Sequence, residues 1–176
     1  MITVANPLKN AAKLFVGCIY SSEEAFLKAR RILEKRFGAP DFESQTLPFN
    51  YTKYYQKEFG ENLKRRFLSF KRQVRTEDLA QIKLLTNKIE RKISRVGRRL
   101  VNIDPGILEL SKVVLATTKD YSHRIYLGKG IYAEVTLFYR DKSFHAWNWA
   151  YPDYRTPEYI GIFNRIRDLY LHQLKP

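Results

Sequence analysis

The stretch KLFVGCIY, residues 13–20, is apolar on both parities and rich in strand formers. That is the pattern of a strand buried on both faces. The chain then turns polar at Ser21, with Glu24 three residues on, the spacing of a helix-capping box. Phe26, Ala29, Leu33 and Phe37 repeat at helical spacing with Ile32 beside them, and Gly38 and Pro40 end the run. A buried strand feeding an amphipathic helix predicts a sheet with a helix laid on it.

Working outward, residues 41–51 read as an extended segment ending near Pro48, and YTKYYQKEFGEN (51–62) as an aromatic, polar stretch closed at Gly60. Leu63 to Val74 predicts another strand, with Leu68, Phe70 and Val74 on one parity. Thr76 is placed to cap a second helix, with Glu77 and Asp78 in its first turn. Ile82, Leu85, Ile89, Ile93 and Val96 form its apolar stripe, flanked by a basic shoulder; Gly97 would cap it, and residues 98–103 resume a strand. The order predicts an α+β fold: a ferredoxin-like βαββαβ sandwich over residues 1–104, helices on one face. Asp104-Pro105-Gly106 reads as the turn that closes it. Residues 107–120 suit either a short helix or a buried strand. Residues 124–127 and 131–139 flank the turn Gly128-Lys129-Gly130, and a second turn at 140–143 leads into FHAWNW. Thr156, Pro157 and the stripe Tyr159, Phe163, Ile166, Tyr170 mark a last helix. Residues 105–176 are thus expected as a C-terminal β-hairpin and helix extension, and the 176 residues as a single domain.

The formal charge is +14, from 32 Lys+Arg against 18 Asp+Glu. Residues 64–99 hold thirteen of the bases and three of the acids, so about one fifth of the chain carries +10 of the excess. Lys64, Arg65, Arg66, Lys88, Arg91, Lys92 and Arg95 are therefore expected to form a basic surface, suited to a nucleotide or nucleic acid. The same charges would equally serve as a solvated helix face and a protected strand edge. A single cysteine, Cys18, excludes an intramolecular disulfide and points to a reducing compartment. The apolar run at 14–20 is too short for a secretory leader, and no run reaches the roughly 18 residues of a membrane helix. The expectation is a cytoplasmic protein with no membrane contact.

No P-loop, dinucleotide fingerprint or nucleophile elbow occurs, so no cofactor is expected. His123, His145, His172 and Cys18 show no ligand spacing, so no metal site is expected either. The densest run of reactive side chains is 112–134. There Lys112, Lys119, His123, Arg124 and Lys129 around a glycine-rich turn would suit an oxyanion, and His123 can act as acid or base near neutral pH. Glu134 stands in the apolar strand IYAEVTLFY and, if covered, needs a cation such as Arg124 or Lys112. A buried ion pair and a catalytic carboxylate both fit it. Asn102 and Asp104 end a strand at an edge where ligands sit, although Asx residues before Pro-Gly also make turns. Tyr51, Tyr54 and Tyr55, followed by Lys64, Arg65 and Arg66, interleave rings with bases as single-strand binders do, and as core segments also do.

The long run LVNIDPGILELSKVVLATTKDYSHRIYLGKGIYAEVTLFY (100–139) resembles the central signature of the prokaryotic domain-of-unknown-function family 4416. KLFVGCIYS, FNYTKYYQKEFG with LKRRFLSF, and WAYPDYRTPEYIGIFN extend the resemblance over nearly the whole chain. It implies a small, single-domain cytoplasmic protein. Some members carry a nucleotide- or GTP-binding label. Three functions follow as expectations: binding of a phosphate-bearing ligand, nucleotide or RNA; catalysis on a phosphorylated or nucleotide substrate with His123 or Glu134 as acid/base; or assembly with an acidic partner.

Overall fold

A computed structural model describes residues 10–52 and 55–175, with Gln56 and Lys57 described by backbone alone. The readings that fall on residues 1–9 and on Tyr54 lie outside the described residues. The fold is α+β. Its sheet is antiparallel throughout, in the order β10-β9-β7-β6-β1-β4-β2. The path strands are β1 (Ala11–Tyr20), β2 (Pro40–Glu43), β4 (Lys64–Phe70), β6 (Val101–Leu108), β7 (Lys112–Thr117), β9 (Ile131–Arg140) and β10 (Ser143–Ala146). Three short strands join at the sides: β3 (Leu47–Pro48) on β4, β5 (Val74–Arg75) on β1, and β8 (Ile125–Gly128) on β9.

β1 is buried along its length and splits its side chains by parity. Leu14, Val16, Cys18 and Tyr20 meet Phe26, Ala29 and Leu33 of helix α1 (Glu23–Phe37). Ile82, Ile89 and Ile93 of helix α3 (Leu79–Ile93) pack against the same face; a single-turn helix α2 (Gln56–Phe59) lies between them in sequence. Burial pushes the Cys18 thiol up to about 12, so it stays protonated. On the opposite face Phe15 meets Phe163 edge-on at 4.9 Å, and helix α4 (Pro157–Gln173) buries Tyr159, Phe163, Ile166 and Tyr170 there. The two helices of residues 1–104 therefore share one face, and α4 of the C-terminal part covers the other. The C-terminal end of α4 is tied to β1: Tyr170 donates to the Ala11 carbonyl at 2.8 Å, and the fully buried Lys13 pairs with Asp41 and donates to Gln173 at 2.9 Å.

Several local readings shift. Ser22, not Ser21, caps α1, accepting from the Ala25 N–H, while Glu24 pairs with Lys28 instead of closing a capping box. The 63–74 strand is interrupted after Phe70 and resumes as β5. Thr76 opens a 3-10 turn, and α3 begins only at Leu79. That helix stops at Ile93, and Arg95 and Arg98 exchange both backbone hydrogen bonds across a two-residue turn. Gly97 is in that turn, and Val96 is not part of the stripe: it stands 94% exposed at the tip with φ 50°. Within residues 107–120 there is no helix: 107–108 end β6 and 112–117 form β7, with non-strand residues between and after them. The last helix is as read, with Thr156 accepting from the Tyr159 N–H and Pro157 at its first position.

The main correction is at Asp104-Pro105-Gly106, which lies inside β6. There Gly17, Val16 and Phe15 of β1 pair with it residue by residue. Proline is tolerated because β7 pairs with β6 only at Gly106–Leu108, so the edge of β6 from Val101 to Pro105 has no strand on it. Gly106 is required by close approach. A methyl there would meet the Phe15 ring and stand 2.7 Å from the Val114 carbonyl oxygen.

Gly106→Ala is expected to destabilise the fold by about 3 kcal/mol, because backbone on one side and a packed ring on the other cannot both retreat. Urea unfolding followed by circular dichroism measures it. Val96 holds a left-handed conformation unfavourable to a β-branched residue, at a turn position that favours Asn before Gly. Val96→Asn should therefore raise stability by about 1 kcal/mol in the same experiment.

Candidate functional site

The bare edge of β6 must satisfy its backbone groups without a neighbouring strand. Ile103 shows how. Its N–H donates to Glu90 Oε1 at 2.6 Å, and its carbonyl accepts from Lys83 Nζ at 3.1 Å. Both side chains come from α3, seven residues apart and so on one face of the helix. Each goes on to a second partner. Lys83 donates to Asp104 Oδ1 at 3.3 Å, and Glu90 accepts from Arg99 at 2.9 Å. Arg99 in turn holds Glu58 through two contacts of 2.8 and 2.7 Å.

Where β6 and β7 separate, a cleft of about 550 Å³ opens. Asn102 and Asp104 form its floor from β6, with Asn102 donating to Asp104 at 2.7 Å. Asn87 and Arg91 of α3 stand on one side, Leu115 to Lys119 on the other. Tyr51, Tyr55 and Tyr151 contribute rings, and Asp153 and Tyr154 close the end.

Arg65 lies at the bottom, 2% exposed. It belongs to β4, two strands from Asp104, yet its Nη1 reaches Asp104 at 3.5 Å. Gly17 of β1 makes this crossing possible. A methyl at Gly17 would stand 2.9 Å from Arg65 Nη2 and 2.9 Å from the Phe67 ring. The guanidinium also donates to the Tyr154 hydroxyl at 3.1 Å and lies 3.9 Å from Asp153. It sits over Phe67 at 4.8 Å, with Phe49, Tyr154 and Tyr159 within 6 Å. Burial raises the pKa of Asp153, with Arg65 opposing, and burial likewise raises that of Glu90 against Lys83 and Arg99.

Of the ligand-binding and catalytic candidates from the sequence, Asn102, Asp104, Lys119 and Glu134 line this cleft, as do Arg65 and Arg91 of the expected basic surface and Tyr51 and Tyr55 of the aromatic stretch. His123 and Arg124 do not line it. They stand behind its wall and hold Glu134, His123 Nε2 and Arg124 Nε each 2.9 Å from the same carboxylate oxygen. The second oxygen accepts from Thr136 at 3.1 Å. Arg124 reaches on to the Tyr151 hydroxyl at 3.0 Å. Lys112 is not in the group: it pairs with Glu109 at 3.2 Å at the opposite end of β7. Lys129 is exposed at the β8–β9 turn. The expected basic surface divides. Arg65 is buried, Lys64 is half-buried, and Arg66 is 14% exposed and held by Glu23 and Glu43. Lys88, Arg91, Lys92 and Arg95 are exposed and make no ion pair among the described residues. The three histidines stand apart: His145 contacts the Arg140 carbonyl and Phe138, and His172 lies in the last turn of α4. Among the described residues no group of three or more His, Cys, Asp or Glu is placed to hold a metal ion, and no helix is long and apolar enough to cross a membrane.

The family model described as Domain of unknown function (DUF4416) matches residues 10–170. The chain belongs to this family. Comparisons with curated proteins and with solved structures returned no match. In this DUF4416 chain the run at 100–139 forms β6 to β9, so it supplies the floor and one wall of the cleft.

Lys83, Glu90, Arg99, Asp153 and Tyr151 were not among the residues expected from sequence. One signal was present: Lys83, Thr86 and Glu90 recur at helical spacing beside the apolar stripe and are all buried. A polar stripe bordering an apolar one is the mark of a helix that serves backbone groups or a cleft.

Glu90→Ala would strand the Ile103 N–H and Arg99, with an expected loss of about 3 kcal/mol. Glu90→Gln keeps an acceptor for Ile103 and should lose less. The raised pKa of Glu90 also sets a sign. Folding holds its proton more tightly, so its contribution is complete below about pH 4.3 and is lost as pH rises through the raised folded value. The deficit of Glu90→Gln relative to the parent should therefore be largest near pH 4 and narrow towards neutrality. Urea titrations across that range read it directly.

Proposed function

We propose that this protein binds a phosphate-bearing ligand, a nucleotide, with base and sugar inside the cleft and phosphate at its mouth. The observation that carries the reading is the division of charge. Deep in the cleft the cations face carboxylates: Lys83 and Arg65 face Asp104, Arg65 faces Asp153 and Arg99 faces Glu90, while Glu134 in the lining is paired by Arg124 from outside it. Such an interior favours neutral polar and aromatic groups, and it offers Asn87, Asn102, Thr117 and the rings of Tyr51 and Tyr151. At the mouth Arg91 is exposed and unpaired among the described residues, where an anion would meet it. The volume lies within the range of roughly 300–1,000 Å³ common for small-ligand sites.

The ferredoxin-like reading of residues 1–104 draws support from the strand order β6-β1-β4-β2, antiparallel at each step, and from α1 and α3 on one face. One sheet running from β2 to β10 supports a single domain. A lone, buried cysteine supports a reducing, cytoplasmic setting. Catalysis through His123 or Glu134 is the second reading, favoured by their 2.9 Å contact. The binding reading is preferred because both oxygens of Glu134 are already engaged and His123 stands outside the cleft.

Calorimetric titration with ATP, AMP and adenosine tests the proposal. ATP and AMP should bind, and adenosine should bind about tenfold more weakly. Arg91→Ala should weaken AMP by a similar factor, about tenfold, with adenosine little changed. Absence of binding by any of the four common ribonucleotides at millimolar concentration would overturn it. Release of inorganic phosphate during the titration, lost in Glu134→Gln, would favour the enzyme.

A further inference from the structure

The cleft mouth carries more unpaired cations than one nucleotide can reach. Lys88, Arg91 and Lys92 are related by three and four residues, so they share one face at the exposed end of α3. Lys88 and Lys92 are about 6 Å apart along the axis. Arg95 and Arg98 continue the row on the turn that follows, and all five are exposed. None makes an ion pair among the described residues, whereas Arg30, Arg66, Arg75 and Arg99 each hold two acids. Arg91 belongs to both places, lining the cleft and standing in the row, so the two surfaces are continuous.

The turn adds an independent feature. Its tip is Val96, an apolar β-branched side chain held at φ 50° and almost wholly exposed, between Arg95 and Arg98. An unfavourable backbone conformation that displays an apolar side chain between two cations suits a partner with alternating charge and flat apolar faces. A nucleic acid has both, phosphates for the arginines and base faces for the valine.

We infer that the ligand is the end of a single-stranded nucleic acid. Its terminal nucleotide occupies the cleft, and the next two or three phosphates cross the exposed end of α3 and the Arg95–Arg98 turn. The inference rests on the nucleotide reading above. A single strand is required because a paired, stacked terminal base cannot enter a cleft. An anionic membrane fits less well. Membrane-surface helices bring a broad apolar face, and here one valine stands alone among cations.

The test is competition against a fluorescein-labelled hexa-adenylate, read by anisotropy, using unlabelled adenylates of one to six residues in both RNA and DNA form. Affinity should rise about tenfold or more from one residue to four. The slope of log K against log salt should steepen by about 0.7 for each added phosphate contact. The triple variant Lys88→Ala, Lys92→Ala, Arg95→Ala alters only exposed side chains, and circular dichroism checks its fold. It should bring the hexamer close to the affinity of the mononucleotide. Mononucleotide binding with no gain on lengthening, or a triple variant that keeps the hexamer affinity, overturns the inference and leaves the nucleotide reading intact. Failure of every mononucleotide to bind overturns the reading beneath it. Capture by phosphatidylserine vesicles that depends on the three cations, without oligonucleotide binding, would assign the row to a membrane instead.

Discussion

The edge of β6 between Val101 and Pro105 is the constraint on which the rest of the site depends. Ile103 turns its N–H and carbonyl away from β1, and Pro105, two residues on, turns the same way without an N–H to offer. A neighbouring strand would lose a ladder bond there, and β7 pairs only from Gly106 onward. The gap leaves two backbone groups that cannot remain bare under α3. Lys83 and Glu90 satisfy them, and in doing so place a cation and a carboxylate on the wall of a cleft. The proline thus accounts for the opening, and the helix that closes it accounts for the polarity.

The bottom of the cleft, where Arg65 lies, follows from an absence of side chain. Gly17 and Gly106 lie on the face of the sheet covered by α4, and each is overlain by a neighbour that needs its space. At Gly106 the neighbour is Phe15, which then meets Phe163. At Gly17 it is Arg65, which crosses β1 to approach Asp104 and Asp153. A guanidinium this deep is costly to desolvate, and aromatic faces with two carboxylates offset that only in part, since its Nε has no partner. Such groups are more readily explained by a site than by stability, because an apolar side chain would pack there as well.

Much of the fold was legible because its elements obey single-period rules. The buried strand at 13–20, the stripes at 26–37 and 159–170, and the positive-φ turn at 128–130 each carry their signal within a dozen residues. The errors share a cause. Asp-Pro-Gly is a turn signal for an isolated chain, and only the missing partner on one side of β6 lets it continue as strand. Arg65 read as surface because its burial depends on Gly17, forty-eight residues earlier. Glu134 was legible as a carboxylate needing a cation, and Arg124 supplies it. Lys112 was not separable from Arg124 by composition, since the sheet carries one to the cleft end and the other residue to the far end of β7.

Charge shows most clearly what tertiary structure adds. The 64–99 segment holds most of the excess of +14, and as a sequence it reads as one basic unit. The fold sorts it by depth. Arg65, Arg66, Lys83 and Arg99 turn towards acids, and apart from Glu90 these come from outside the segment: Glu23, Glu43, Glu58, Asp104 and Asp153. Lys88, Arg91, Lys92, Arg95 and Arg98 are left facing solvent. The inward group is matched and so contributes little field at a distance, whereas the outward group is unmatched and adjoins the cleft mouth. Five exposed cations of the segment thus stand beside the cleft that Arg91 lines, so on the nucleotide reading attraction of an anion and its capture would share one surface.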